Sequence, residues 1–456
     1  MVDQSKLNEL TKLFETQNDL NALNELIQYY ETEKKYEVLE KLYRKLHDNV
    51  PHDINVIHKL AYLYDKELHQ YNLAREFYEL ALVIDPNEPF IHFHYGALLE
   101  FKFKELEEAI KHYLETIRIN KYYVDAYLNI SWLYLEQYQD QEKALEIIHK
   151  ALENNNNWEL HAHVAYIHYT YTKEYQLALD SLNKALEVSP KNSLVLTYLG
   201  QVYLLMKNFD KAYESFKRAH ATKRLNHILV YEYCKLLITY YKDFDAAIDL
   251  LKEAIEYFED QGIYPSYLAS LYLTTNHLEE AKYYLTLAES RPIKNQDALL
   301  MIGYLKAIID HDTADAMMYF EKVVEMNPEN LSALSVVGFY NLFNSQQIDK
   351  ALQYFNRIIE LGAEFYPAYF ITAQIYEEYY QDYHKALETY QKIDESNLDQ
   401  KDLSYLKYII GKLYQNGFKD VAKALDYYEA AYEIHPNKHI EKIISQLYDE
   451  NKTLVN

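Results

Sequence analysis

The chain has 456 residues, 46 Lys+Arg against 70 Asp+Glu and a formal net charge of -24, with seven arginines among the basic residues. Such a surface repels phosphate backbones, which sets nucleic acid aside as a partner and favours protein segments that are basic or apolar. A single cysteine, Cys234, excludes an internal disulfide. Eight glycines argue against glycine-rich phosphate loops and a turn-rich β fold, and no stretch reaches the roughly 18 apolar residues of a membrane span.

Residues 1–18 are charged from Asp3 onward, hold no apolar core of signal-peptide length and read as an N-terminal capping helix. A cytoplasmic protein is the expectation. Residues 19–52 form a degenerate first repeat, in which LEKLYRKLHDNVP carries Leu39 and ends on Pro51. From 53 to 437 one unit recurs. LAREFYELALVIDP (73–86), LALDSLNKALEVSP (177–190) and KALDYYEAAYEIHP (423–436) are copies of the same helix. Its alanine falls at Ala74, Ala109, Ala144, Ala178, Ala212, Ala247, Ala281, Ala316, Ala351, Ala386 and Ala424, with gaps of 34 or 35 residues and a last gap of 38. Near-constant spacing of this kind marks a helical solenoid.

Twelve or thirteen residues before each alanine stands a small residue: Ala61, Gly96, Ser131, Ala165, Gly200, Cys234, Ala269, Gly303, Gly338, Ala373 and Gly411. Two antiparallel helices approach closely only where neither carries bulk at the crossing. Four residues after each alanine comes a large apolar residue, from Tyr78 and Tyr113 to Tyr390 and Tyr428, and Pro86, Pro190, Pro328 and Pro436 end second helices. The wide gap falls at DESNLDQKD (394–402), read as a longer acidic loop and flexion point. Beyond it, residues 438–456 place Ile440, Ile443, Ile444, Leu447 and Tyr448 on one stripe, a C-terminal capping helix and tail.

The run YLGQVYLLMKNFDKAYESFKRA (198–219), with Leu199, Gly200, Tyr203, Ala212, Phe216 and Ala219, resembles the tetratricopeptide repeat, a helix–turn–helix unit of about 34 residues. The resemblance covers residues 53–437 as eleven repeats. It implies an all-α fold, a right-handed superhelical solenoid of stacked antiparallel helix pairs. Most units are one residue longer than the family norm, and the extra residue lies between the two helices. The pentatricopeptide family shares the 35-residue period and reads RNA, but proline-terminated second helices and the acidic, arginine-poor composition oppose that reading.

The repeats leave no room for a catalytic domain and no constellation offers nucleophile, base and oxyanion donors, so no enzyme is expected. In the family the first helix of each pair lines the concave groove. Counting from the small residue, positions −6, −3, +1, +4 and +5 give Tyr62, Phe90, Phe93, Trp132, Tyr166, Tyr169, Tyr231, Tyr304, Phe339, Phe343, Phe370 and Tyr408. Interleaved acids are Asp65, Glu100, Asp125, Glu136, Glu377 and Glu378. The expected function is a protein–protein interaction scaffold or adaptor gripping a basic or apolar segment in this aromatic, acidic groove. Packing against neighbouring repeats is the competing account of the aromatics. A regulator that senses a ligand through solenoid curvature is the alternative function, and the solenoid ends offer a route to self-association. The −3 positions hold no lysine and +1 no asparagine, so the carboxylate clamp of chaperone-binding family members is missing. No cofactor or metal is expected: His92 and His94, like His161 and His163, are two residues apart and point to different sides of a helix. Cys234 in the small-residue slot reads as a buried, inert thiol.

Overall fold

The computed structural model describes residues 4–258, 261–309 and 313–455. Among them are 26 α-helices, five single π-helical turns, one 3-10 turn and no strand. The chain divides into two compact units, Met1–Lys242 and Asp243–Asn456.

In the first unit, the helix Gln4–Gln17 precedes Leu20–Thr32 and Tyr36–Asn49, and antiparallel pairs follow. Ile54–Tyr62 pairs with Tyr71–Ile84, Pro89–Leu98 with Leu106–Ile119, Val124–Glu136 with Gln141–Leu152, Trp158–Ile167 with Tyr175–Val188, and Ser193–Leu205 with Phe209–His220. The helix His227–Leu236 closes the unit. In the second unit the helix Phe244–Tyr257 is followed by five pairs, beginning with Ile263–Thr274 and Leu278–Glu289. The last pair is Gln400–Leu413 with Val421–Ile434, after which comes Lys438–Val455, whose Ile440 and Leu447 are buried. The expected loop at 394–402 ends at Asp399, which caps the helix Gln400–Leu413, and it contains the 3-10 turn Glu395–Asn397, tied by Ser396 N–H to Asp394 Oδ1 (3.0 Å) and by Lys407 Nζ to Glu395 Oε1 (2.7 Å).

The crossing explains the small-residue rule. The repeated alanines from Ala74 to Ala424 are buried, and beside each slot glycine of a first helix lies the large side chain four residues beyond the alanine of the second. All five glycines in the slot face an aromatic ring: Gly96 faces Tyr113, Gly200 Phe216, Gly303 Phe320, Gly338 Phe355 and Gly411 Tyr428. Where the slot holds Ser131, Ala165, Cys234 or Ala269, the large residue at the same offset is Ile148, Leu182, Leu251 or Leu285. Ala61 with Tyr78 and Ala373 with Tyr390 are the exceptions. At Gly200 the approach is closest, because a Cβ there would stand 2.4 Å from Phe216 Cε1. At Ser131 the hydroxyl uses the same proximity differently and donates to the Ala144 carbonyl at 3.1 Å.

The extra residue of the longer units also has a structural account. In the shorter repeats the second helix starts with a bond reaching five residues back, Asn208 N–H to Tyr203 O and His277 N–H to Tyr272 O, both 2.8 Å. In the longer ones it reaches six back, as in Glu105 N–H to Leu99 O (3.0 Å), Asp140 to Tyr134 (2.8 Å) and Glu174 to His168 (2.9 Å). The added residue widens the last turn of the first helix, at Leu63–Glu67, Leu99–Phe103, His168–Thr172, Leu237–Tyr241 and Tyr414–Phe418 into a full π turn. One left-handed residue then reverses the chain, for example Lys104 (φ 61), Lys173 (φ 59) and Lys419 (φ 60).

Part of the excess of tyrosines and acids is explained by pairs between the two. Their rings pack while their hydroxyls donate to carboxylates: Tyr64 to Glu40 (2.8 Å), Tyr241 to Asp210 (2.8 Å), Tyr319 to Glu289 (2.8 Å) and Tyr380 to Asp349. A charged acceptor makes these stronger than neutral hydrogen bonds, and several join one repeat to the next.

Candidate functional site

Of the aromatics expected on the groove, those of the first unit form short ladders across consecutive first helices. Trp132 is half-buried, its ring 4.7 Å from His163 and 4.9 Å from Tyr166 of the next pair. Tyr166 lies 5.5 Å from Tyr169, and Tyr169 lies 6.3 Å from Tyr198 of the pair after that. Tyr62 meets His94 at 5.4 Å, and Phe93 meets Tyr123 at 4.9 Å. Phe90 is 52% exposed and Tyr231 47%, the latter with the Lys235 ammonium 5.8 Å from its ring. In the second unit Tyr304, Phe339, Phe370 and Tyr408 each lean on the large ring of their own second helix, Phe320 (4.9 Å), Phe355 (5.2 Å), Tyr390 (6.1 Å) and Tyr428 (5.7 Å). Phe343 stacks on Phe339 and stays 68% exposed. Packing and surface are thus combined in single side chains: one edge covers the crossing and the other faces outward.

Two of the expected groove residues are placed differently. Asp65 is 2% exposed, with Lys66 Nζ 2.8 Å from Oδ2, because +4 lies one helical turn beyond the small residue on the packed face, where Leu135 and Leu342 are buried as well. Tyr169, also at +4 and in a π turn, is buried. Glu100 follows the same geometry; half-buried, it accepts the Tyr113 hydroxyl at 2.7 Å, and burial raises its pKa. Burial likewise raises that of Glu377. The +5 acids differ: Glu136 is exposed and accepts the Tyr171 hydroxyl at 2.6 Å, while exposed Glu378 accepts from Gln374 Nε2 at 2.9 Å. Asp125 is exposed at the start of its helix.

A groove of about 510 Å³ crosses three successive first helices of the first unit. Tyr169, Gln201, Leu205, Glu232, Lys235 and Thr239 line it. The Gln201 Oε1 is buried with no protein donor within hydrogen-bond distance, so it is an acceptor that an incoming N–H can use. Gln201 and Lys235 stand at +1, Leu205 at +5 and Tyr169 at +4, positions the family rule names. Gln201, Leu205 and Lys235 are neither aromatic nor acidic, so only their positions along the first helices mark them in the sequence.

Histidines pair in ways that spacing along one helix does not reveal. His92 Nδ1 lies 2.9 Å from His112 Nδ1, and His92 Nε2 lies 3.1 Å from the Pro86 carbonyl. Since a carbonyl only accepts, His92 carries its proton on Nε2 and His112 donates from Nδ1. His163 Nε2 lies 2.9 Å from Ser131 Oγ. Burial lowers the pKa of His94, His112 and His163 to about 4, assisted at His112 by His92 and at His94 by His58. These are neutral packing groups. Among the described residues no group of three or more His, Cys, Asp or Glu is arranged to hold a metal ion, and no helix is long and apolar enough to cross a membrane.

Comparison with known proteins places this geometry. The tetratricopeptide repeat model matches residues 54–88. The anaphase-promoting complex subunit CDC16 of Saccharomyces cerevisiae is 30% identical over 130 residues, 27% of this chain and 15% of that protein. The BBSome complex member BBS4 of Mus musculus is 36% identical over 77 residues, 17% of this chain and 14% of that protein. The chain therefore spans only about a seventh of the length of either relative. The solved structure of Pseudomonas aeruginosa PilF aligns with 46% of this chain and 94% of its own at 23% identity, with a TM-score of 0.37.

Proposed function

Taking as premise that the chain is a tetratricopeptide-repeat protein, with residues 54–88 matching that repeat and the same helix pair recurring on either side, we propose that it is a non-enzymatic interaction scaffold. It holds a protein segment along the exposed face of its first helices. The observation that carries this reading is the groove across three first helices, with the Gln201 acceptor inside it and the exposed ring of Tyr231 on its third helix. Large apolar surface left open is unfavourable in isolation and is typical of sites that a partner covers. A segment with apolar and basic side chains suits this ring and the exposed carboxylates of Glu136 and Asp125. The two curated relatives are named as members of multiprotein complexes, which agrees with a scaffold.

The test is affinity capture from the native host with the full chain and with the variant Y62S/F90S/Y231S, chosen because all three side chains are exposed and Tyr231 stands on a helix that forms the groove. A stoichiometric partner should be retained by the native chain and lost by the variant at unchanged helicity. Val83, 82% exposed on a second helix, supplies the control V83S, which should keep the partner. Equal capture by the triple variant would remove the first-helix face from consideration.

A further inference from the structure

The second helix Phe209–His220 and the turn after it break the acidic character of the chain. From Ser215 to Tyr231 there is no Asp or Glu, while Lys217, Arg218, His220, Lys223, Arg224 and His227 all fall within that span. Lys217, Arg218, Lys223 and Arg224 are exposed. The use of arginine sharpens the contrast. Arg44 pairs with Glu40 (2.9 Å), Arg75 with Glu105 (2.7 Å), Arg118 with Glu115 (2.6 Å) and Arg357 with Glu360 (3.4 Å), and Arg291 donates to the Ile255 carbonyl (3.2 Å). The remaining two, Arg218 and Arg224, have no carboxylate within ion-pair distance among the described residues, and neither does nearby Lys191.

Beside this island lies a groove of about 760 Å³, separate from the first-helix groove. Residues of the turn at 189–193, Lys191 among them, and of the turn at 221–226, Arg224 among them, line it together with Trp158 and Leu194. No acidic residue lines it. Its walls are set in advance: Ser193 Oγ donates to the Arg224 carbonyl at 2.6 Å, and Asn226 Nδ2 donates to Thr197 Oγ1 at 3.1 Å. A rigid, cation-flanked groove with an indole and aliphatic side chains selects an occupant that is both acidic and partly apolar.

We propose that the groove between the turns 189–193 and 221–226 is a docking site for a carboxylate-rich protein segment whose apolar side chains lie against Trp158. A nucleic acid fits less well. The net charge of -24 repels a polyanion at a distance, and the few cations here fall short of the six to ten or so phosphate contacts of a typical binder. The surface differs from the first-helix face in place and in charge, so the chain would hold two segments of opposite character.

The chain supplies its own reporter. It has two tryptophans, Trp132 and Trp158, so the full-length W132F variant reports on this groove alone. Titration at low salt with a short peptide of alternating Glu and Leu should give a saturable change in Trp158 emission that fades as salt rises. Adding K191E/R224E should weaken binding by about tenfold or more, since like charges then face each other. K12E/K41E, the same change of net charge at exposed sites elsewhere, should leave the affinity unchanged. Circular dichroism checks that all variants remain helical. Absence of a saturable change, or equal weakening by K12E/K41E, overturns the proposal. Single-stranded DNA binding as tightly as the peptide would reassign the site to nucleic acid. A dimer of the native chain that R224E dissociates would reassign it to a second copy.

Discussion

The pairing of slot glycines with aromatic rings can be tested at its tightest point, Gly200. In G200A the new methyl would stand 2.4, 2.6 and 2.8 Å from Phe216 Cε1, Cδ1 and Cζ. Phe216 is fully buried, so its ring has no solvent-filled space to move into, and the helices must separate. Overpacking of this kind costs about 1–3 kcal/mol, of which the better helix propensity of alanine returns about 1 kcal/mol. The expected net loss is up to about 2 kcal/mol. F216L alone removes ring atoms and leaves a void, a loss of about 1 kcal/mol or more. The double variant G200A/F216L installs the residues that Ala165 with Leu182 and Ala269 with Leu285 already use. It should therefore lie at least about 1 kcal/mol above the sum of the singles, outside the roughly 0.3–0.5 kcal/mol scatter of independent sites. Because repeat arrays open locally, the suitable assay is native-state hydrogen exchange of the helices Ser193–Leu205 and Phe209–His220. G96A is the internal control. Its Cβ would stand 3.0 Å from Tyr113, and Ala61 already tolerates Tyr78, so the change should stay within about 1 kcal/mol. A stabilising G200A, or a double variant equal to the sum of its parts, would refute the crossing argument.

Three further outcomes are expected. His94, His112 and His163 have folded pKa values of about 4 against the ordinary 6.5, so the unfolded chain binds their protons first; stability is intact above about pH 6.5 and falls as pH drops toward 4. H163Q, which keeps a donor for Ser131 Oγ, should lower the slope of unfolding free energy near pH 5 by about 1.4 kcal/mol per pH unit, and an unchanged slope in denaturant titrations would contradict the assignment. Lys104 at φ 61 carries a left-handed strain of about 1–2 kcal/mol that glycine lacks, so K104G should raise the thermal midpoint, with a net gain of about 0.5–1 kcal/mol after the entropy of glycine, and K104V should lower it. Burial pushes the Cys234 thiol up to about 12; iodoacetamide should leave it unlabelled in the native chain and label it fully in denaturant, and native labelling at neutral pH would place it at the surface.

The fold was legible because its determinants are local and repeated. The alanine, the small residue and the large apolar residue each occupy one fixed place in every unit, so an error in any one repeat is corrected by the others. The pairing of Gly96 with Tyr113 and of Gly200 with Phe216 was equally present in the two columns but appears only when they are read against each other. Of the residues selected by position on the first helices, Phe90 and Phe343 are exposed, whereas Asp65 and Tyr169 are buried. The +4 position lies one turn from the small residue on the packed face, so helical periodicity already places it toward the crossing. The His92–His112 contact was hidden for a different reason: it joins two helices across the crossing, 20 residues apart, and no pattern along one helix contains it.

The wide turns also bear on how such a chain can diverge. In an ordinary helix, inserting or deleting one residue rotates everything beyond it by about 100° and misplaces the buried face. Here each helix takes its register from its own slot, Gly96 on one side and Ala109 on the other, and the turn between them exists in two interchangeable lengths. A one-residue deletion between Phe101 and Lys104 would exchange the six-residue closure for the five-residue closure seen at Asn208 and His277 and leave both registers intact. Frame-preserving indels, normally purged from helical proteins, become a neutral currency of variation at this point in each repeat. The 34- and 35-residue units mixed along the chain are the record such drift would leave.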